Sequence, residues 1–169
     1  MRKPLISLIL TALMTAMASC SSSGCLDNGS ALPLAGFYDS ATGKIIALDN
    51  VDIHAAGAPN DSLMLGAGTR ATQVYLPFTP AANAVSWVID YRQEGLVGVS
   101  DIITFHYTSL PYFASDECGA MYYYRIDSTE WTSRLIDSVA VVEPLISNVE
   151  RERIRIYFRT ATAEEGEQQ

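Results

Sequence analysis

Apolar and polar side chains alternate with a period of two along most of the chain, and turn-forming residues interrupt the pattern. Because successive side chains of a β-strand point to opposite faces, this period predicts strands with one buried and one exposed face. No helix is predicted after the first twenty residues. The predicted strands are 34–39, 45–48, 51–55, 74–78, 85–91, 103–108, 121–127, 135–142 and 153–159.

The pattern predicts an all-β domain, because amphipathic strands bury their apolar faces by packing one sheet on another. We expect an antiparallel β-sandwich of the immunoglobulin-like or transthyretin-like type, with a small β-barrel as the alternative. The predicted domain spans residues 33–160. The stretch 161–169, "ATAEEGEQQ", lacks large apolar side chains and is expected to be a disordered tail.

The N-terminal segment has the composition of a secretory signal. Arg2 and Lys3 precede a stretch of 14 uncharged residues, 5–18. As a helix this stretch would be about 21 Å long, which is short of the ~30 Å thickness of a bilayer core. Small residues follow it, as they do at a cleavage site. We therefore assign 1–19 to a signal peptide and exclude it from the fold.

Two processing sites overlap at the end of this segment. The residues "AMA" at 16–18 fit the rule for ordinary signal peptidase, with release at Ser19. The residues "MASC" at 17–20 instead resemble a bacterial lipobox, in which the cysteine becomes lipidated and N-terminal. We expect lipidation of Cys20, followed by a tether over 20–32, with ordinary cleavage as the alternative.

The cysteine count favours the lipobox. Ordinary cleavage would export three cysteines and leave one of them unpaired, whereas lipidation of Cys20 leaves Cys25 and Cys118 as a pair. The chain has no C-x-x-C motif and no Cys/His cluster with zinc spacing. We therefore expect a structural disulfide between Cys25 and Cys118 and no metal.

The mature chain would be strongly acidic, which excludes one class of partner. Without residues 1–19 it carries 9 basic and 19 acidic residues, a net charge of −10. Nucleic-acid binding depends on basic residues that neutralise phosphates, so no nucleic-acid partner is expected. Anionic lipid would also repel the protein, so attachment to a membrane would depend on the acyl chains of Cys20.

Candidate catalytic chemistry is sparse. His54 and His106 each lie on the polar side of a predicted strand, without a local histidine or carboxylate at a metal-site spacing. No G-x-S-x-G nucleophile motif occurs in the sequence. We therefore expect no catalytic residue, no cofactor and no enzymatic activity.

Aromatic and acidic residues concentrate in two neighbouring stretches, "PYFASDECG" at 111–119 and "YYY" at 122–124. Exposed aromatic side chains often mark an interface, so the sequence offers a candidate binding surface for an envelope protein or glycan. The alternative is structural, a bend held by the disulfide between packed sheet faces. The candidate residues are Tyr112, Asp116, Glu117, Tyr122 and Tyr124. Alternation places Tyr122 and Tyr124 on one face of their strand and Tyr123 on the other.

Three arginines, Arg153, Arg155 and Arg159, form a basic stripe on the last predicted strand. They could bind a polyanion. We favour pairing with acids on a neighbouring strand, where charges also discourage edge-to-edge aggregation.

Several segments together resemble a family of Bacteroidetes lipoproteins of unknown function. They include "SGCLDNGSALPLAGFYD", "PYFASDECGAMYYYRI" and "IDSVAVVEPLISN". The resemblance runs from Cys25 to about Phe158 and implies a secreted, lipid-anchored β domain without an assigned activity. Because "SSSG" after Cys20 lacks the acidic export signal of surface lipoproteins, we expect the periplasmic face of the outer membrane.

The sequence favours a lipid-anchored envelope protein that acts as a non-enzymatic binding or assembly module. A hydrolase of envelope polymers is an alternative, which requires His106 to lie near a Ser, Asp or Glu in a concave pocket. A small-ligand carrier is the other alternative, which requires an apolar cavity of several hundred Å³.

Overall fold

The computed structural model describes residues 31–58, 62–115 and 119–160, with Ala114 and Ser115 described by their backbone only. None of the described residues lies in a helix, and accordingly no helix there is long and apolar enough to cross a membrane. The described residues contain these strands: β1 Leu34–Asp39, β2 Val51–Ala55, β3 Leu63–Leu65, β4 Gln73–Tyr75, β5 Ala84–Tyr91, β6 Ser100–Ser115, β7 Gly119–Trp131, β8 Ile136–Val141, β9 Leu145–Ile146 and β10 Glu152–Phe158.

The strands form two sheets, which confirms the predicted β-sandwich. One sheet has the order β4-β1-β10-β8, and the other has the order β3-β2-β5-β6-β7-β9. The neighbouring strands are antiparallel with one exception, because β1 and β10 run parallel to each other. This one pair departs from the antiparallel arrangement expected for the sandwich.

The core follows the predicted alternation. In β5, β6 and β10 alternate residues along the strand are apolar, and their side chains are buried between the sheets. Each such burial stabilises the fold by about 1.5–3 kcal/mol. These side chains are Trp87, Ile89, Tyr91, Ile103, Phe105, Tyr107, Ile154, Ile156 and Phe158.

Three segments differ from the predicted strands. The segment 45–48 forms only isolated bridges, Tyr38 with Ile45 and Leu48 with Ala71. Strand β4 ends at Tyr75, since Pro77 has no N–H to donate to a ladder. The short strand β3, Leu63–Leu65, was not predicted.

The hairpin of β6 and β7 is the largest departure in length. Strand β6 has 16 residues and β7 has 13, which is longer than predicted and longer than any other strand described. The two strands therefore extend beyond the sheets that the other strands define.

Candidate functional site

The outer part of the β6–β7 hairpin has no neighbouring strand among the described residues. Pairing with β5 ends where Ala84 meets His106, and β9 pairs only with Tyr124 and Arg125 of β7. Beyond these points residues 110–115 of β6 and 119–123 of β7 pair only with each other. We call this two-stranded segment the arm. At ~3.3 Å per residue it is about 20 Å long.

One face of the arm carries a pair of stacked tyrosines. The rings of Tyr112 and Tyr123 lie 4.5 Å apart between centroids at an interplanar angle of 20°. The Tyr123 hydroxyl donates a hydrogen bond to Asn148 Oδ1 at 3.3 Å. Of the predicted surface residues, Tyr112 therefore lies on the arm, and Tyr123 joins it there.

The other face of the arm carries the most exposed aromatic side chain described. Phe113 is 67% exposed, and Tyr122 on the adjacent strand is 39% exposed. Their strands pair so that Tyr122 lies opposite Pro111 and Phe113 lies opposite Ala120. Tyr122 thus lies where the sequence placed it, on an accessible surface, and Phe113 is an addition to the predicted set.

Tyr124 belongs to the core, so its place in the predicted surface was wrong. It is 5% exposed and contacts the rings of Tyr107 and Phe78 at 5.5 and 5.7 Å. Tyr122 and Tyr124 are two residues apart on one strand and share a face, as predicted. The core ends between them because the second sheet does not extend beneath the arm.

Asp116, Glu117 and Cys118, which follow β6 in the chain, lie outside the described residues, as do Cys20 and Cys25. The backbone of Ser115 pairs with Gly119, whose φ of +69° is a left-handed conformation that glycine adopts without a steric penalty. Within the described part, no group of three His, Cys, Asp or Glu side chains could hold a metal ion.

The chain enters the sandwich at the end that carries the arm. The Pro33 carbonyl, just before β1, accepts a hydrogen bond from Leu76 N at 2.9 Å. Two residues later, the ring of Phe78 stacks on Tyr107 at 4.3 Å, at the base of the arm. Ala31 is already buried in the core. Residues 31–33 and the base of the arm therefore lie at the same end of the sandwich.

Both histidines lie on the outer face of the six-stranded sheet, as the alternation predicted. His54 Nε2 lies 3.3 Å from Asp90 Oδ2. His106 Nε2 lies 3.6 Å from Glu130 Oε1, and its side chain is 44% exposed. The paired acids were not found in the sequence because they lie on neighbouring strands, far away along the chain.

The basic stripe of the last strand is divided among different environments. The register between β1 and β10 shifts between Leu34 and Ala35, which leaves Arg153 as the extra residue of a β-bulge. Its side chain therefore turns inward. It is only 2% exposed and contacts Glu143. The predicted outward position of Arg153 was therefore wrong. Pairing with a neighbouring strand is confirmed for Arg159, which contacts Asp137 at 3.2 Å.

Arg155 pairs within its own strand. Its Nε donates to Glu152 Oε1 at 2.8 Å, and its guanidinium lies 5.2 Å from the ring centroid of Tyr38. The Tyr38 hydroxyl donates to the same Glu152 carboxylate. The carboxylate of Glu152 and the hydrogen bond to it raise the pKa of Arg155, so the guanidinium stays charged. Paired in this way, it is not a free site for a polyanion.

A buried carboxylate that sequence reasoning missed lies at the opposite end of the sandwich from the arm. Asp101, at the start of β6, is fully buried and accepts five hydrogen bonds of 2.7–3.1 Å. Its donors are the Tyr91 hydroxyl, the Thr132 hydroxyl and the backbone N–H groups of Arg134, Leu135 and Ile136. The sequence did not identify Asp101 as a buried carboxylate, because its hydrogen-bond donors come from segments far away along the chain.

The pKa of Asp101 reflects two opposing effects. Burial by itself raises the pKa, since it disfavours the charged form. The hydrogen bonds from Arg134 N, Thr132 and Leu135 N outweigh burial and hold the pKa below its usual value. Burial, together with the hydrogen bond to this carboxylate, raises the pKa of the Tyr91 hydroxyl, which therefore stays a donor. The arrangement fits a structural anchor for the segment between β7 and β8.

A pocket of about 420 Å³ opens between the sheets at this same end. It is lined mainly by apolar side chains, and Gln93, Arg159 and Thr160 supply polar groups. The remaining lining residues are Ile46, Leu48, Val51, Tyr91, Leu96, Leu135 and Phe158. The pocket has the size that a small-ligand carrier requires.

The comparisons with known proteins give a family and no activity. No curated protein and no solved structure matches the chain. The model of a family of unknown function, DUF6452, matches residues 50–158, from β2 to the end of β10. This agrees with the expected family of unknown function at that coarser level. Because the match covers more than half of the chain, the protein belongs to the DUF6452 family.

Proposed function

We propose that this protein is a lipid-anchored binding or assembly module of the cell envelope, without catalytic activity, and that the arm is its contact surface. The observation that carries the proposal is the arm itself, a two-stranded ribbon with exposed aromatic side chains. An isolated two-stranded ribbon is marginally stable in water. Aromatic side chains are also enriched at protein interfaces. A contact surface accounts for both properties.

The position of the N-terminal segment supports this role. Cys20 lies 11 residues before Ala31, a distance that an extended chain spans with at most about 40 Å. A lipid on Cys20 would therefore hold the arm end of the sandwich close to the membrane. An envelope protein is the partner we propose, on the periplasmic face of the outer membrane.

Replacement of Cys20 tests the anchor. The full chain with Cys20→Ala should leave the membrane fraction, because it would lack acyl chains to insert. If this variant stayed with the membrane as the wild type does, the lipobox interpretation would be wrong.

A photo-cross-linking side chain tests the arm. It is placed at Phe113 in the full chain and, as a matched control, at Ile45, an exposed apolar residue of the opposite end. Irradiation in cells should give a specific product from position 113 and none from position 45. Equal products from both positions, or none from position 113, would overturn the proposal.

A small-ligand carrier is a second candidate, because the 420 Å³ pocket has a mainly apolar lining. An apolar fluorescent probe should then bind the full chain, and Leu96→Trp should fill the pocket and abolish binding. Probe binding that Leu96→Trp leaves unchanged would remove this candidate.

A further inference from the structure

The two free edges of the arm differ in their ability to accept another strand. Tyr107 N donates to Asn83 O, away from β7. Backbone N–H and C=O groups of successive residues point alternately to the two edges of a strand. The N–H and C=O positions of residues 109, 111 and 113 therefore also face the outer edge of β6. Position 111 is Pro111, which has no N–H. The outer edge of β6 is therefore interrupted.

The outer edge of β7 is continuous. Ile126 N donates to Pro144 O, away from β6, and Tyr124 pairs on the same side with Ile146 of β9. By the same alternation, Tyr122 and Ala120 direct their N–H and C=O groups outward. No backbone partner for these groups occurs among the described residues. Free donors and acceptors thus line this edge of the arm.

We infer that a second copy of this chain adds to this edge, so that two β7 strands pair antiparallel about a two-fold axis at Met121. The inference rests on the arm being a contact surface. In this register Ala120 of one copy faces Tyr122 of the other, and each such pair exchanges two backbone hydrogen bonds. The large ring of Tyr122 thus meets a small residue across the pair.

The length and the charge of the edge favour a second copy as the occupant. The free edge ends at Gly119 on one side and at β9 on the other, so a longer strand would collide with β9. An identical short edge fits. The chain carries a net charge of −8, but residues 119–124 carry no charge, so two copies can approach there without opposing acids.

The small size of this interface sets where the pair forms. Stable interfaces bury about 800 Å² per partner, more than a strand edge of five residues offers by itself. Anchoring of both copies to one membrane would raise their effective concentration. The pair is therefore one of membrane-bound copies.

Opposite charges at the two-fold axis test the inference. Full-length copies with two different affinity tags are co-expressed, cross-linked while both are anchored in the membrane, then solubilised in detergent and captured through one tag. Wild-type copies should recover the second tag. Two Met121→Glu copies, or two Met121→Lys copies, should recover about tenfold less, because like charges face each other. A mixture of Met121→Glu and Met121→Lys should restore recovery, which also shows that both variants fold.

The matched controls are Ser128→Glu and Ser128→Lys, which place the same charges on β7 outside the free edge and should leave recovery unchanged. Failure of wild-type copies to recover each other would overturn the inference, as would full recovery in Met121→Glu pairs. If position 113 still cross-links to another protein, the proposed function stands while the self-pairing fails.

Discussion

The two ends of the sandwich differ in whether the fold supplies hydrogen-bond partners for their polar groups. At one end the Asp101 carboxylate is fully buried and accepts five hydrogen bonds, so each donor around it is satisfied by the fold. At the other end the arm leaves the outward backbone groups of Ala120 and Tyr122 without a partner among the described residues. Phe113 there is 67% exposed.

This difference separates stability from binding. Buried polar groups that lose their partners are costly, so the Asp101 end should be sensitive to substitution. The arm contributes little apolar burial of its own, so its substitution should be well tolerated by the fold. If the arm is a contact surface, its substitutions should instead appear in the recovery of partners.

The largest expected effect is at Asp101. Asp101→Ala would leave five donors unsatisfied, and we expect it to lower the free energy of unfolding by about 5 kcal/mol. Urea unfolding of the full chain in detergent measures this. Asp127→Ala, which removes a surface carboxylate, is the control and should cost about 1 kcal/mol or less. Equal effects of the two variants would contradict the assigned role of Asp101.

The second largest effect on stability is expected from loss of a disulfide that would attach the arm to the N-terminal segment. Cys25 and Cys118 lie outside the described residues, but Cys25 is six residues before Ala31 and Cys118 directly precedes Gly119 of the arm. We propose that they form a disulfide. Loss of a bridge over 93 positions costs about 4–5 kcal/mol in the chain-entropy model. Cys118→Ser should therefore lower the melting temperature by several degrees.

The variant Cys25→Ser gives the control for this bridge. It should lower the melting temperature as much as Cys118→Ser, and the double variant should lower it no further. An unchanged melting temperature in either single variant would argue against the pairing.

Acid should weaken the Asp101 end. The folded-state pKa of Asp101 lies below its unfolded value of about 3.9. Its contribution is therefore present above pH ~3.9 and is lost as the pH falls through the folded-state pKa. Unfolding from pH 6 to 2 should show a shallower loss of stability in Asp101→Asn than in the wild type. Parallel curves would contradict this.

The smallest effect on stability is expected in the arm. Phe113→Ser removes an exposed ring, so the free energy of unfolding should change by no more than about 0.5 kcal/mol. Thermal unfolding beside the wild type measures it. A loss of 2 kcal/mol or more would show that Phe113 is packed in the folded protein, which would undo the contrast between the two ends.

The sequence predicted what local alternation controls. The buried faces of β5, β6 and β10 follow from period-two patterns, and so does the position of both histidines. It could not predict the parallel pairing of β1 with β10 or the bulge at Arg153, because both depend on which strands meet. The inward turn of Arg153 follows from that bulge.

For the candidate surface, too, alternation predicted which side chains share a face but not which of them are exposed. Alternation correctly placed Tyr122 and Tyr124 on one face of β7. Which of the two is exposed depends on where the opposite sheet ends, and that is set by strand lengths in distant parts of the chain. The donors of Asp101 are likewise brought together only by the fold.

The central claim is that partners bind through the arm, and the most direct test compares the two ends in cells. Full chains tagged after Gln169 are cross-linked and captured as the wild type, as Phe113→Ser with Tyr122→Ser, and as Ile45→Ser. We predict at least tenfold less partner recovery in the arm variant, wild-type recovery in Ile45→Ser, and similar melting temperatures for all three. Equal recovery by the arm variant and the wild type would contradict the account.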